Sequence, residues 1–261
     1  MSLRIQIAPG SRCIILTLKG IVYKVPLSQS ASKNLRNEYL CNKEAQLDEF
    51  WSNYAVPLFS RFKGILGSKL QKNNESFLEE KLLEFIKLRL EWLDNAPTIS
   101  FIESVNCNNL KRFVFPHIGH MEYNRLDIFM RSHHVKVGSV HGDLHIENIF
   151  CNMGAISIID WGNHHTKFWA MYDIFHLKYC DFLKAKNTSW IDALDELFIA
   201  PAEYCTVSEF KASEEDVICY ILARSELELL QDIRLNRLNL NRIKKYRSAV
   251  QKINRYLNRM L

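Results

Sequence analysis

The sequence lacks several features that would place it in a specialised class of protein. It has only 9 glycines and 6 prolines in 261 residues, and it contains no Pro/Gly-rich linker, internal repeat or low-complexity tract. Its seven cysteines form no C-x-x-C pair, which argues against a zinc site and is typical of reduced thiols. No uncharged run approaches the ~20 residues that span a bilayer, and the first residues contain no apolar signal core. We therefore expect a cytoplasmic globular protein.

Acidic residues are absent from residue 236 to the C-terminus, where eight Lys and Arg residues occur. Removing those eight from the 34 Lys and Arg leaves 26 basic residues against 29 acidic ones. The basic excess is thus confined to the tail, so the overall charge of +5 does not indicate a nucleic-acid partner.

The basic tail also has an apolar face. Five apolar residues recur there at spacings of three or four and predict an amphipathic helix, namely Ile243, Tyr246, Val250, Ile253 and Leu257. Amphipathic helices of globular proteins usually pack on their own domain, which is the favoured interpretation. The alternative is peripheral contact with an anionic membrane, at its inner face, through the eight cations.

The chain changes from strand-rich to helix-rich sequence near residue 72. Short β-prone runs at 3–8, 12–18 and 21–25 predict a meander, and 56–70 predicts two further strands around a turn at Gly64. A helix capped by Ser30 or Ser32 is expected between these two groups. Strongly periodic helical sequence follows from about residue 76.

Two short segments carry the chemistry. Residues 141–150 read HGDLHIENIF and residues 158–162 read IIDWG. If 147–151 and 155–160 pair as a hairpin, Asn148 and Asp160 lie within a residue or two of being opposite each other. A carboxamide and a carboxylate suit Mg²⁺, which fills its remaining positions with water and nucleotide phosphate. Asp143 can then accept a proton from an attacking hydroxyl, which is the division of labour that phosphoryl transfer requires.

These two motifs resemble the catalytic loop and metal-binding segment of the aminoglycoside phosphotransferase and choline kinase group, relatives of the protein kinases. The resemblance covers residues 139–176 and implies that Asp143 is the catalytic base and that Asn148 and Asp160 are metal ligands. Gly142, His145 and Trp161 favour this small-molecule branch over the protein kinases, which typically have His-Arg-Asp and Asp-Phe-Gly.

The resemblance also implies the fold and several supporting residues. We expect a two-lobed α+β protein-kinase-like fold, with a nucleotide-binding N-terminal lobe at 1–72 and a mainly helical catalytic lobe at 73–261. His141 and His145 are expected to support the catalytic loop, since a His beside such a loop more often orients it than titrates. Asp173 resembles the family's Asp that braces this loop through hydrogen bonds.

A kinase-like fold further needs a cation on the nucleotide phosphates. Lys24 on the third strand is well placed for this, with Glu38 on the next helix as its expected partner and Glu44 as the alternative. No G-x-G-x-x-G loop occurs; residues 9–12, including Ser11, are the segment expected to meet the phosphates. The hinge that would contact the base is expected near residues 67–72.

The sequence therefore predicts an enzyme that uses ATP and Mg²⁺ to phosphorylate a hydroxyl of a small molecule. The acceptor would be a sugar, an amino alcohol, an aminoglycoside or a glycolipid head group. A protein kinase and a catalytically silent kinase-like binding module remain as alternatives; the missing Gly-rich loop favours the silent module, and the intact Asp143, Asn148 and Asp160 favour the enzyme.

Overall fold

The computed structural model describes residues 4–8, 12–61, 64–69, 71, 75–152, 154–199, 201, 206–207 and 210–260. The chain divides into two compact units, each made of two segments. The first comprises Met1–Trp92 and His141–Thr166, and the second comprises Leu93–Val140 and Lys167–Leu261. Both sequence motifs thus belong to the first unit. The lobe boundary near residue 72 stays a prediction, because residues 72–74 lie outside the described part.

The described residues form twelve strands and nine α-helices. The strands are β1 (Arg4–Ala8), β2 (Cys13–Leu18), β3 (Ile21–Pro26), β4 (Leu58–Arg61), β5 (Ile65–Lys69), β6 (Thr98–Ser100), β7 (His134–Val140), β8 (Ile149–Asn152), β9 (Ala155–Ile158), β10 (His165–Trp169), β11 (Thr206–Val207) and β12 (Phe210–Lys211). The α-helices are α1 (Gln29–Leu47), α2 (Glu75–Asp94), α3 (Phe101–Val105), α4 (Asn108–Phe113), α5 (His120–Ser132), α6 (Tyr172–Lys186), α7 (Leu194–Ile199), α8 (Glu214–Arg234) and α9 (Leu240–Met260).

The first unit is built on an antiparallel sheet with the strand order β1-β2-β3-β5-β4. Lys19 and Gly20 join β2 to β3 with φ angles of 51° and 75°. Two successive positive φ angles belong to a type I′ turn, whose twist matches that of the flanking strands. The predicted meander and the two strands flanking Gly64 are confirmed.

Helix α1 packs on one face of this sheet. Ser28 follows the end of β3 in extended backbone, and its hydroxyl accepts a hydrogen bond from the backbone N–H of Ala31. Ser28 is therefore the N-cap, and the prediction that Ser30 or Ser32 caps the helix was wrong. The helix and the sheet share a core of apolar side chains, formed by Cys13, Ala31, Leu35, Leu58 and Leu66.

Strands β8 and β9 form a hairpin that is fixed to the first unit by backbone bonds. The N–H of Val56 donates to the carbonyl of Ile158 at 3.1 Å, and the N–H of Ile158 donates to the carbonyl of Tyr54 at 2.8 Å. The buried rings of Trp51 and Trp161 lie 5.3 Å apart, centroid to centroid. Backbone bonds hold Ile158 and ring packing holds Trp161, so the two residues between them have a fixed position.

The second unit is mainly helical and confirms the favoured interpretation of the basic tail. The apolar face of α9 is buried through Tyr246, Val250, Ile253 and Leu257, so this helix packs within its own unit. Strands β6, β7 and β10 form a small sheet in the order β10-β7-β6. Across the described ranges, no helix combines the length and apolar character needed to cross a membrane.

Candidate active site

The loop that follows β7 requires a glycine at its second position. Gly142 has a φ of 80°, in the left-handed region. A Cβ at this position would lie 2.1 Å from the carbonyl oxygen of Asn163, far inside van der Waals contact. The HGD segment therefore runs directly against the backbone that follows Asp160, and this approach explains Gly rather than Arg at position 142.

His141 ties the same two segments together through its ring. The ring is fully buried; its Nε2 lies 2.8 Å from the carbonyl oxygen of Ile159, and its Nδ1 lies 3.2 Å from the backbone nitrogen of Asp143. A carbonyl only accepts and a backbone N–H only donates, so Nε2 is the donor of the ring and Nδ1 is its acceptor. His141 thus holds the backbone of Asp143 in register with the residue before Asp160.

Asn148 is oriented by two contacts of its amide nitrogen. Nδ2 donates to the backbone carbonyl of Asp143 at 3.0 Å and to Nε2 of His145 at 3.1 Å. Because Nδ2 makes both contacts, Oδ1 is the atom that Asn148 presents for ligation. The structure therefore places His145 against the predicted metal ligand, while Asp143 N–H and C=O are both held by neighbouring side chains.

Asp160 sits at the end of the hairpin in a left-handed conformation, with φ 66° and ψ 55°. The β8–β9 register pairs Ile149 with Ile158, and the N–H of Ile159 donates to the carbonyl of Asn148 at 3.1 Å. Asp160 is thus one residue from the position opposite Asn148, which confirms the predicted hairpin geometry. Its side chain is 50% exposed, so the carboxylate is accessible to a ligand.

Lys24 on β3 lies between two carboxylates. Its Nζ is 2.7 Å from Oε1 of Glu38 and 3.6 Å from Oδ1 of Asp160. The ion pair predicted between Lys24 and Glu38 is present. Burial opposes the charge on Lys24, but the two carboxylates outweigh it and raise the pKa of the ammonium above its ordinary value. Lys24 therefore stays charged at neutral pH.

Glu44, the alternative partner of Lys24, lies elsewhere. Its Oε2 is 3.6 Å from Nδ1 of His164, a buried ring in the segment after Asp160. Glu38 precedes Glu44 by six residues, about 1.7 turns of α1, so the two side chains project from different sides of the helix. The alternative assignment was wrong.

Lys24, Glu38 and Asp160 line one cavity of about 250 Å³ in the first unit. Its walls combine apolar side chains from the sheet with residues of the β8–β9 hairpin. They include Ile15, Thr17, Val22, Lys24, Glu38, Leu58, Leu66, Gly67, Ser68, Lys69, Gln71, Phe150, Ile159 and Asp160. Gly67 to Lys69 and Gln71 belong to the segment predicted as the hinge. A Cβ on Gly67 would lie 2.3 Å from the ring of Phe59, so any larger residue there would displace this ring.

One contact of the site was missed at the sequence level. Asn37 on α1 donates from Nδ2 to the backbone carbonyl of Gly162 at 2.7 Å. This bond fastens the helix that carries Glu38 to the segment that follows Asp160. An Asn on the polar side of a helix has no sequence signal that distinguishes such a tertiary contact from exposure to solvent.

The roles predicted for Ser11 and Asp173 stay predictions. Ser11 lies outside the described residues. Asp173 is buried in the first turn of α6, in the second unit. Among the described residues, no group of three or more His, Cys, Asp or Glu side chains is arranged to hold a metal ion by itself.

Comparisons with known proteins identify the fold. The sequence matches no family model and no curated protein. A thermostable mutant of aminoglycoside phosphotransferase APH(4)-Ia aligns with a TM-score of 0.54 and 12% identity, covering 98% of this chain and 94% of that one. Macrolide 2'-phosphotransferase MphH from Brachybacterium faecium aligns with a TM-score of 0.52 and 9% identity, covering 95% and 92%. The GDP complex of aminoglycoside 2'-phosphotransferase-IIIa gives 0.51 and 14%, covering 98% and 93%.

These likenesses extend over nearly the whole chain. The predicted two-lobed protein-kinase-like fold is therefore confirmed, and it is the fold shared by these phosphotransferases. At 9–14% identity, the likeness concerns the fold.

Gly142→Ala is expected to destabilise the first unit by at least about 2 kcal/mol, because it adds left-handed strain and overlap with Asn163. Gly154→Ala is the matched control, since Gly154 has the same φ of 80° but its nearest neighbour, Lys81 Cε, is 3.8 Å from the added Cβ. Thermal and denaturant unfolding of both variants would measure the difference. Equal losses of unfolding free energy in the two variants would show that the close contact with Asn163 does not add to the destabilisation.

Asn37→Ala is expected to destabilise the protein by ~1 kcal/mol, the contribution of one hydrogen bond. The reason is that α1 would lose its bond to the carbonyl of Gly162. Thermal and denaturant unfolding would measure the loss, and Asn34→Ala on the same helix is the control. An unchanged free energy of unfolding in Asn37→Ala would contradict the role of this contact.

Proposed function

We propose that the chain transfers the γ-phosphoryl group of ATP to a hydroxyl of a small molecule, with Mg²⁺ bound at the site. The observation that carries the proposal is the meeting of Lys24, Glu38 and Asp160 on the wall of one cavity. A fixed cation beside a pair of carboxylates is what binding of a magnesium nucleotide requires. The similar structures are of aminoglycoside and macrolide phosphotransferases, which supports a small-molecule acceptor.

The cavity suits a nucleotide. A nucleobase has two flat, largely apolar faces, and the apolar side chains Val22, Leu66 and Phe150 offer it a matching surface. Lys24 would contact the phosphates, and Glu38 holds the ammonium in place through the 2.7 Å ion pair. We assign Ser11 to the loop that covers the phosphates. One similar structure is a GDP complex, so GTP belongs in every test beside ATP.

The donor set fits Mg²⁺. Asp160 supplies an accessible carboxylate and Asn148 presents Oδ1, and both are hard oxygen ligands. Two protein ligands would leave the other coordination positions of Mg²⁺ to water and nucleotide phosphate, which is the ligand set that this ion prefers. The bound ion would neutralise charge on the phosphates.

Asp143 is assigned to the acceptor hydroxyl. Its carboxylate would accept a hydrogen bond from the hydroxyl, orient it, and take its proton as the new oxygen–phosphorus bond forms and the bond from the γ-phosphorus to the departing ADP breaks. His141 and Asn148 hold the backbone of Asp143 at 3.2 and 3.0 Å, respectively. Both are therefore positioning residues for Asp143 through its backbone, and His145 is one for Asn148. The proposed acceptors are sugars, amino alcohols, aminoglycosides and glycolipid head groups.

The second candidate is a silent binding module, which the absence of a G-x-G-x-x-G loop favours. Thermal unfolding with ATP or GTP, with Mg²⁺ or a chelator, separates the possibilities, because a ligand of the folded state raises apparent stability. The proposed enzyme should be stabilised by nucleotide with Mg²⁺ and should consume it when given an acceptor. Stabilisation without turnover on any small-molecule or protein acceptor would support the silent module. No stabilisation by either nucleotide would contradict both.

A further inference from the structure

Helix α9 carries a row of exposed cations. Four basic residues of the tail are engaged by acidic partners in the same unit: Arg237 and Arg242 by Asp232, Lys245 by Glu228, and Lys252 by Asp195. The other four are exposed, namely Lys244, Arg247, Arg255 and Arg259. At 100° per residue their positions fall within about 120° of the helix circumference. The exposed cations therefore form one face along the helix.

The neighbouring helix α5 continues this face with apolar side chains. Met121 is 74% exposed and Ile128 is 61% exposed, and the two lie on the same side of α5 as Arg125. Arg125 donates a hydrogen bond to Oδ1 of Asn258 on α9. Asn258 follows Arg255 by three residues, on the side of α9 that carries the cations. Apolar and cationic groups are thus adjacent across the two helices.

The acidic groups of α5 do not neutralise this surface. Asp127 pairs with Arg131 at 2.6 Å, and Glu122 accepts from the backbone N–H of Gly119 at the helix start. Asp127 and Arg131 cancel each other's charge, and the one remaining negative charge, on Glu122, is outnumbered by the five cations of Arg125 and α9. The surface formed by the four exposed cations of α9 with Met121, Arg125 and Ile128 therefore carries positive charge.

We propose that this surface, which we call the α5–α9 surface, binds anionic membranes. Its charge complements acidic lipid head groups, and each Lys or Arg near such a surface adds attraction. Its exposed Met121 and Ile128 fit the boundary between head groups and acyl chains. A duplex nucleic acid would use the cations but offers no comparable place for two unpartnered aliphatic side chains. The apolar face of α9 is buried, so α9 contributes charge and α5 contributes the inserted groups.

Vesicle sedimentation with the full chain tests this proposal. The wild type should bind phosphatidylcholine vesicles that contain phosphatidylserine, should not bind pure phosphatidylcholine vesicles, and should be released by salt. Replacing Lys244, Arg247, Arg255 and Arg259 with Gln should weaken binding by at least about 100-fold. Replacing Met121 and Ile128 with Ser should weaken it at unchanged charge, by about tenfold.

Matched variants control for charge and for apolar exposure. Lys33, Arg36, Lys43 and Lys87 are exposed cations of the first unit, and their change to Gln removes the same total charge. Leu40 and Leu47, exposed on α1, match the apolar pair. Both control variants should bind like wild type. The proposal would be overturned if the control variants lost as much vesicle affinity as the variants of the α5–α9 surface. It would also be overturned if the protein bound duplex DNA more tightly than vesicles and Met121→Ser and Ile128→Ser left the DNA affinity unchanged. Nucleotide binding and turnover are measured in separate experiments, so the membrane proposal and the proposed phosphotransferase function can each fail without the other.

Discussion

Asp143→Asn is expected to lower the rate of phosphoryl transfer by about 100-fold or more while nucleotide affinity stays close to wild type. Asn has nearly the same shape as Asp, and the bonds made by the backbone of Asp143 to His141 and Asn148 do not depend on the carboxylate. What is lost is the group that we propose orients the acceptor hydroxyl and takes its proton. Single-turnover rates and nucleotide titrations would measure the two quantities separately.

Glu147→Gln is the matched control for this prediction. Glu147 is an exposed carboxylate in the same loop, four residues beyond Asp143. The Glu147→Gln variant should retain the wild-type rate of phosphoryl transfer. If Asp143→Asn turned over as fast as this control, Asp143 would have no part in proton transfer.

Asp160→Asn is expected to weaken magnesium-dependent nucleotide binding by more than about 100-fold, since loss of residues that merely support metal ligands already costs 10- to 100-fold. Asn tolerates the left-handed backbone of Asp160 better than Ala would, so the change removes charge with little added strain. Asn148→Ala should have a smaller effect, because it removes a neutral ligand.

The chelator supplies the control for both metal-ligand variants. In wild type, the affinity for ATP should fall when Mg²⁺ is removed, and in Asp160→Asn it should be nearly independent of Mg²⁺. Calorimetric titration of each protein with and without chelator measures this difference. Equal affinities under all conditions would place the metal site elsewhere.

The sequence allowed the chemical core to be predicted because the relevant positions are close along the chain. Asn148 and Asp160 are joined by a short hairpin, so alternation of strand residues fixes their register. Lys24 and Glu38 are only 14 residues apart, on β3 and in the middle of α1, and the pair forms as predicted. Their roles in catalysis and binding stay predictions.

Other features depend on tertiary contacts that no local pattern encodes. Asn37 reaches Gly162 across 125 positions, and the carboxylate of Glu226 on α8 accepts from the N–H groups of Asn109 and Leu110 on α4. An Asn or a Glu on a helix has the same sequence signature whether it meets solvent or a distant backbone. The cap of α1 was misassigned for a different reason, because three serines at 28, 30 and 32 are equally good caps in sequence.

The most direct test of the account is transfer of the terminal phosphate of ATP or GTP to a panel of sugars, amino alcohols, aminoglycosides and lipid head groups, with product detected by mass spectrometry. The account predicts a phosphorylated product from at least one acceptor class, dependent on Mg²⁺ and lost in Asp143→Asn. A protein that binds magnesium nucleotide but phosphorylates no acceptor, or whose product formation is the same in Asp143→Asn, would contradict it.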